Sequence, residues 1–247
     1  MKSLFFACAL LISGAAAAVD FGDLLKGLGE LGANKSTTPS AAALSDQDLT
    51  HGLKDALAEG AGKAVSLLGR TDGFLKNDKV RIPLPESLQK AESILQILGQ
   101  GQRVDELKTS LNRAAEAAVP EAKTLLLDAI KNMSVEDARG VLNGGEDAAT
   151  QYFRKATEAR LHARFLPIVG KTVNRYKLSA QYDRIAGTAA QTGLIGQDQA
   201  NMAQYVTGKA LDGLFLMITE EEKAIRRDPL GQASEYVRKV FGSLKSK

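Results

Sequence analysis

DQANMAQYVTGKALDGLFLMITEEEKAIRR, residues 198–227, carries its apolar side chains at helical rather than strand spacing. At about 100° per residue, Leu214, Ile218 and Ile225 fall on one stripe, and Glu221 lands in its middle. A carboxylate on an apolar face must be paired, hydrogen-bonded, protonated or brought to solvent by a bend. One reading of Glu221 is an internal ion pair with an arginine from another helix, or a helix end emerging into water. The other is a ligand-binding or acid/base carboxylate that burial desolvates. Glu220 and Glu222 fall on other faces and read as solvated.

Helical spacing continues outward from this stretch towards the N-terminus. Ser45 followed by Asp48 is an N-cap signal, and Leu49, Leu53, Leu57, Ala61, Val65 and Leu68 keep one face apolar. Further helices are predicted over 85–98, 104–118, 120–133, 134–142, 146–167 and 172–191, and a last one from Asp228-Pro229 to about Phe241. Pro120 is expected to start or kink its helix, Ser134 to cap the next, and Asn143-Gly144-Gly145 to stop it. The interval 70–85 breaks the pattern. Asp72-Gly73 and Asn77-Asp78 are turn formers, and Val80-Arg81-Ile82-Pro83-Leu84-Pro85 must run extended, because each proline drives the residue before it out of helical space. No stretch alternates with period two long enough to make a strand. The expected fold is all-α, a multi-helix bundle of about eight helices with one extended proline-containing connection.

The N-terminus reads as an address. Lys2 precedes an apolar run from Leu4 to Ile12, and small residues follow down to an Ala-x-Ala at Ala16 and Ala18. Charge, apolar core and small-residue cleavage site is the order of a secretory signal peptide, and the run falls short of the roughly 20 residues that span a bilayer. Residues 1–18 are therefore expected to be removed, placing the rest of the chain in the periplasm. Cys8, the sole cysteine, lies in that leader, so no disulfide is expected. Acylation of Cys8 fits poorly, with only seven residues before it and Phe5 and Phe6 where small or aliphatic residues belong. Residues 19–44 read as a flexible tether, glycine-rich and then polar, and 45–247 as a single helical domain. Without Lys2, 31 basic residues face 29 acidic ones, both signs interspersed. That is a solvated surface rather than a nucleic-acid footprint. The basic C-terminal tail, with Arg238, Lys239, Lys245 and Lys247, suits a helix dipole or a weak contact with a membrane surface.

The inventory of chemistry is thin. Only His51 and His162 are histidines. There is no Gly-x-Ser-x-Gly elbow, Walker-type loop or His-Glu-x-x-His helix. No metal and no cofactor are expected. Glu158 and His162 are spaced as an i,i+4 surface pair. In Asn112-Arg113-Ala114-Ala115-Glu116 the alanines allow close helix approach, leaving Asn112 or Arg113 to cross-link helices, with Arg113 a candidate partner for Glu221. Arg81, between apolar neighbours, is a candidate for a carboxylate such as Glu221 or an anionic ligand. Arg154 and Arg226 complete the candidate ligand-binding set of Arg81, Arg113, Arg154, Glu221 and Arg226.

Several of these motifs together resemble a bacterial family catalogued as domain of unknown function 4197. The matching stretches are Val80 to Pro85, Asn112 to Glu116, and Asp147-Ala148-Ala149-Thr150 with Tyr152-Phe153-Arg154. The longest block holds Tyr205-Val206, Ala210-Leu211, Gly213-Leu214-Phe215, Glu221-Glu222, Ile225-Arg226 and Asp228-Pro229. The resemblance covers about 45–242 and implies an exported helical protein. It brings no catalytic residues. The leading expectation is a binding or scaffold protein of the cell envelope whose partner is an envelope protein or a small amphipathic ligand. The alternatives are an enzyme using a buried Glu/Arg cluster, and a peripheral membrane protein.

Overall fold

The computed structural model describes residues 45–191 and 201–228. The leader, the 19–44 tether, the C-terminal helix expected after Asp228 and the basic tail lie outside the described residues. Within them the chain is all-helical. In order the α-helices are α1 (Asp46–Gly69), α2 (Glu86–Ile97), α3 (Gly101–Ala118), α4 (Ala122–Lys131), α5 (Val135–Asn143), α6 (Ala148–Arg175), α7 (Leu178–Gln191) and α8 (Met202–Arg227).

Local chemistry sets most of the boundaries. Ser45 and Ser134 each form a reciprocal capping box, with Asp48 and Asp137 respectively, starting α1 and α5. Pro120 sits in a 3₁₀ turn (Val119–Glu121) between α3 and α4, where a missing backbone donor does no harm. Asn201 caps α8, its Oδ1 accepting from the Gln204 N–H at 3.1 Å, so this helix starts later than the sequence pattern alone predicts.

Pro167 does not end a helix. α6 runs through it to Arg175, because Phe165, Val169 and Val173 on its inner face are buried in the core. Packing on both sides of the proline outweighs one lost hydrogen bond. The break comes instead at Tyr176 and Lys177, the latter at φ 51°, so α7 begins at Leu178 and not at 172.

α8 is the axis of the assembly, packed along α6, α1 and α3. Its Leu214, Ile218 and Ile225 are buried as the stripe predicts, but so are Leu211, Phe215 and Glu222 on a neighbouring stripe. One face meets α1, where a Cβ on Gly60 would lie 3.4 Å from Ile225 Cδ1 and 3.5 Å from Glu221 Cβ. The other meets α6.

The 70–85 connection is non-helical, as expected, and it is not a loose loop. Asp72 takes φ 67°, and a Cβ on Gly73 would lie 2.4 Å from the Leu67 carbonyl, so the Asp-Gly turn folds directly onto the end of α1. Phe74, Val80, Ile82 and Leu84 are all buried. Gly213 of α8 receives the Phe74 ring, since a Cβ there would lie 2.7 Å from Phe74 Cε1.

Candidate functional site

Of the polar motifs that the sequence singles out, Asn112-Arg113-Ala114-Ala115-Glu116 is the one that holds the 70–85 connection. Asn112, fully buried on α3, treats Ile82 as a strand neighbour would. Its Oδ1 accepts from the Ile82 N–H at 2.8 Å, and its Nδ2 donates to the Ile82 carbonyl at 3.0 Å and to the Lys108 carbonyl at 2.8 Å. One turn on, buried Glu116 accepts from the N–H groups of Phe74 (3.1 Å) and Leu75 (3.2 Å). Extended and turn backbone pressed into a core has no ladder to satisfy it, so side chains must do so. From α8, the Tyr205 hydroxyl lies 2.9 Å from the Pro83 carbonyl and 3.1 Å from that of Leu84, donating across the pair. Burial pushes this phenol up to about 12.

Arg113 donates to Glu116 Oε2 and to Asp72 Oδ1, both at 2.6 Å, and so does not serve Glu221. The Asp72 carboxyl falls below its usual 3.8 because Lys76 first, and then Arg113, donate hydrogen bonds to it. The folded protein therefore binds fewer protons at this site than the unfolded chain near pH 3.8. Its stabilising contribution is present at neutral pH and is lost as pH falls below that value. The expected result is that Asp72→Asn has a shallower loss of stability with acid than the wild-type chain, read from urea midpoints through this range. Equal slopes would remove Asp72 from the account.

A second polar cluster joins α8 to α6. Here the buried carboxylate is Glu222, not Glu221. Its oxygens accept from the N–H groups of Ala149 (2.9 Å) and Thr150 (3.0 Å) and from the Thr150 hydroxyl (3.0 Å). Asp147 makes no side-chain cap, so the first turn of α6 is capped across the fold by a residue 73 positions away. Arg226 completes the cluster, with Nε and a terminal nitrogen on Glu222 at 3.1 and 2.9 Å and the latter also on the Val141 carbonyl of α5 at 2.8 Å. Glu221 is half-buried, its stem passing over Gly60, and makes no hydrogen bond or ion pair among the described residues.

The remaining candidates are dispersed. Arg154 pairs with Glu158 at 2.7 Å and places its guanidinium 4.4 Å from the Phe215 ring centroid. Glu158 is thus committed to Arg154 rather than to His162, whose Nε2 meets Gln204 at 3.0 Å. Arg81 is exposed, with Asp78 its ion-pair partner at 3.4 Å. The five candidate residues therefore do not converge: Arg113 and Arg226 each join a buried carboxylate, but these are Glu116 and Glu222 in separate clusters, and neither is Glu221.

Arg81 does border a cleft. The wall made by Leu75, Ile82, Pro83 and Leu84 faces Glu92 of α2 and Asp105 and Lys108 of α3 across a space of about 540 Å³, open to solvent. Glu92 and Lys108 are ion-paired within it. The lining mixes polar and apolar groups, with Ile82 and Leu84 almost wholly buried behind it, and the volume falls in the roughly 300–1,000 Å³ range of small-ligand sites. Among the described residues no cluster of His, Cys, Asp and Glu is arranged to hold a metal, and no helix is long and apolar enough to cross a membrane.

Neither a curated protein nor a solved structure matches the chain. A family model does, over residues 43–242, which include the 70–85 connection and the residues that pin it. The chain accordingly belongs to the family described as Protein of unknown function (DUF4197).

Proposed function

We propose that the chain is an exported binding protein of the cell envelope, and that it recognises its partner at the cleft beside the 81–84 segment. The observation that carries this reading is the way the segment is held. Side chains from α2, α3 and α8 (Gln89, Asn112 and Tyr205) all bond to its backbone, leaving Arg81 and Pro83 exposed beside a cleft lined by both polar and apolar groups. A non-helical segment fixed this firmly presents a preorganised surface, which lowers the ordering entropy of binding. A lining of mixed polar and apolar character suits an amphipathic molecule or a segment of an envelope protein. An acid/base role is less well supported, since Glu116 and Glu222, the two carboxylates buried among the described residues, are each occupied by two backbone N–H groups and an arginine. Export rests on the leader-like order of residues 1–18.

The test is a photo-crosslinking side chain placed at Arg81 in growing cells, with the same group at exposed Lys171 of α6 as control. The expected result is a discrete adduct from position 81, absent from 171, on a chain released by osmotic shock and starting at Val19. Identical patterns at both positions would contradict recognition at the cleft. Retention of an unprocessed chain in the cytoplasm would contradict export.

A further inference from the structure

The α2–α3 hairpin ends in a tip that the rest of the described fold does not cover. α2 turns Leu88, Ala91 and Leu95 inward, all fully buried, yet leaves Ile94 37% exposed, Ile97 84% and Leu98 48%. At spacings of three and four these aliphatic side chains gather over the last helical turn. The turn is well made. Gly99 at φ 72° closes the helix, with its N–H on Gln96 (3.1 Å) and the Gln100 N–H on Leu95 (2.9 Å). Such a cap commonly brings an apolar residue to cover the end of the helix. Here the residue in that position is Gln100, and the aliphatic groups stay outside. Ser93 to Val104 contains no acidic residue, with Glu92, Asp105 and Glu106 flanking it; Gln96, Gln100, Gln102 and Arg103 are the polar side chains of the turn and its flanks, and Arg103 donates to Gln100 at 2.8 Å.

We infer that this tip is a lipid-contact site, at which Ile97, with Ile94 and Leu98 beside it, enters the headgroup–acyl boundary of a phospholipid surface while Arg103 meets lipid phosphates. Area and shape favour lipid over a protein. Three such partly exposed side chains offer on the order of 300 Å² of apolar surface, well below the roughly 800 Å² per partner of a stable complex. A convex tip needs a concave receptor in a protein partner, whereas a bilayer interface accepts it without shape complementarity. Neutral glutamines around it carry no charge to strip of water. The contact is superficial, and it lies at a different place from the cleft proposed above.

The chain contains no tryptophan, so Ile97→Trp creates a single fluorescent reporter at the tip, and Leu127→Trp on α4, where the native residue is 41% exposed, serves as control. Each is titrated, as the full chain, with vesicles of equal parts phosphatidylglycerol and phosphatidylcholine. The expected result is a blue shift and protection from acrylamide for the position-97 reporter alone, with Ile97→Asp weakening vesicle co-flotation by about tenfold or more. A reporter at 97 that stays quenchable with vesicles present would overturn the inference. So would equal responses at both positions, or unchanged flotation of a folded Ile97→Asp chain. Burial of the reporter without vesicles, rising with protein concentration, would assign the tip to a second copy of the chain and equally overturn it.

Discussion

Glu222→Ala is expected to lower the unfolding free energy by about 3–5 kcal/mol, while Glu221→Ala, one residue away, changes it by no more than about 0.5 kcal/mol. The contrast follows from what each carboxylate touches. Removing Glu222 leaves the Ala149 and Thr150 N–H groups without their acceptor and strips the inner partner from Arg226, which is only 17% exposed. Breaking one side of a buried charge pair leaves the other desolvated and uncompensated. Glu221 has no such partner to strand and lies over a glycine at a partly open edge. Urea unfolding of the two variants checks this. Equal losses, or a larger one for Glu221→Ala, would mean that the buried carboxylate has been misassigned.

Asn112→Ala should lower the unfolding free energy by about 2–4 kcal/mol. The side chain is fully buried and makes three hydrogen bonds, two of them to a single residue of the extended segment. Alanine leaves the Ile82 N–H and carbonyl facing a small cavity with nothing to answer them. Asn112→Asp is a sharper probe, because the carboxylate still accepts from the Ile82 N–H but cannot donate to its carbonyl and brings a buried charge. It should be at least as damaging as alanine in the same unfolding measurement. If both variants kept wild-type stability, the connection would be held by apolar packing alone.

What could be read from the sequence was what local chemistry decides. The N-caps at Ser45 and Ser134 and the Asp72-Gly73 turn depend on residues within a few positions of one another, and each is where the sequence places it; the extended run expected from Val80 starts at Arg81, because Val80 still closes a turn onto the Asn77 carbonyl. Pro167 misled because its local penalty is real, yet Phe165, Val169 and Val173 bury the helix on both sides of it. The carboxylate assignment failed for a related reason. A single apolar stripe describes a helix buried on one face, but α8 is buried against both α1 and α6, so the Phe215 stripe that carries Glu222 is as much interior as the Leu214 stripe beside it. The signal was present in Leu211 and Phe215, four residues apart, with Glu222 seven residues beyond Phe215 on that second stripe. Glu116 could not have been assigned this way. Beside Arg113, three residues before it, its partners are the backbone of Phe74 and Leu75, more than forty residues away, and backbone donors leave no mark in a sequence.

The residues by which the chain resembles its family are thus, in large part, those that pin a non-helical segment and cap a helix across the fold. Val80 to Pro85 is held by Asn112, Tyr205 and the gap at Gly213, and Glu116 and Arg113 fix the turn before it. The direct test is amide hydrogen exchange at Phe74, Leu75 and Ile82, which lie outside any helix. They should exchange nearly as slowly as the interior amides of α8, opening only with the whole fold. Exchange at the rate of an unprotected loop, while α8 stays protected, would contradict the account.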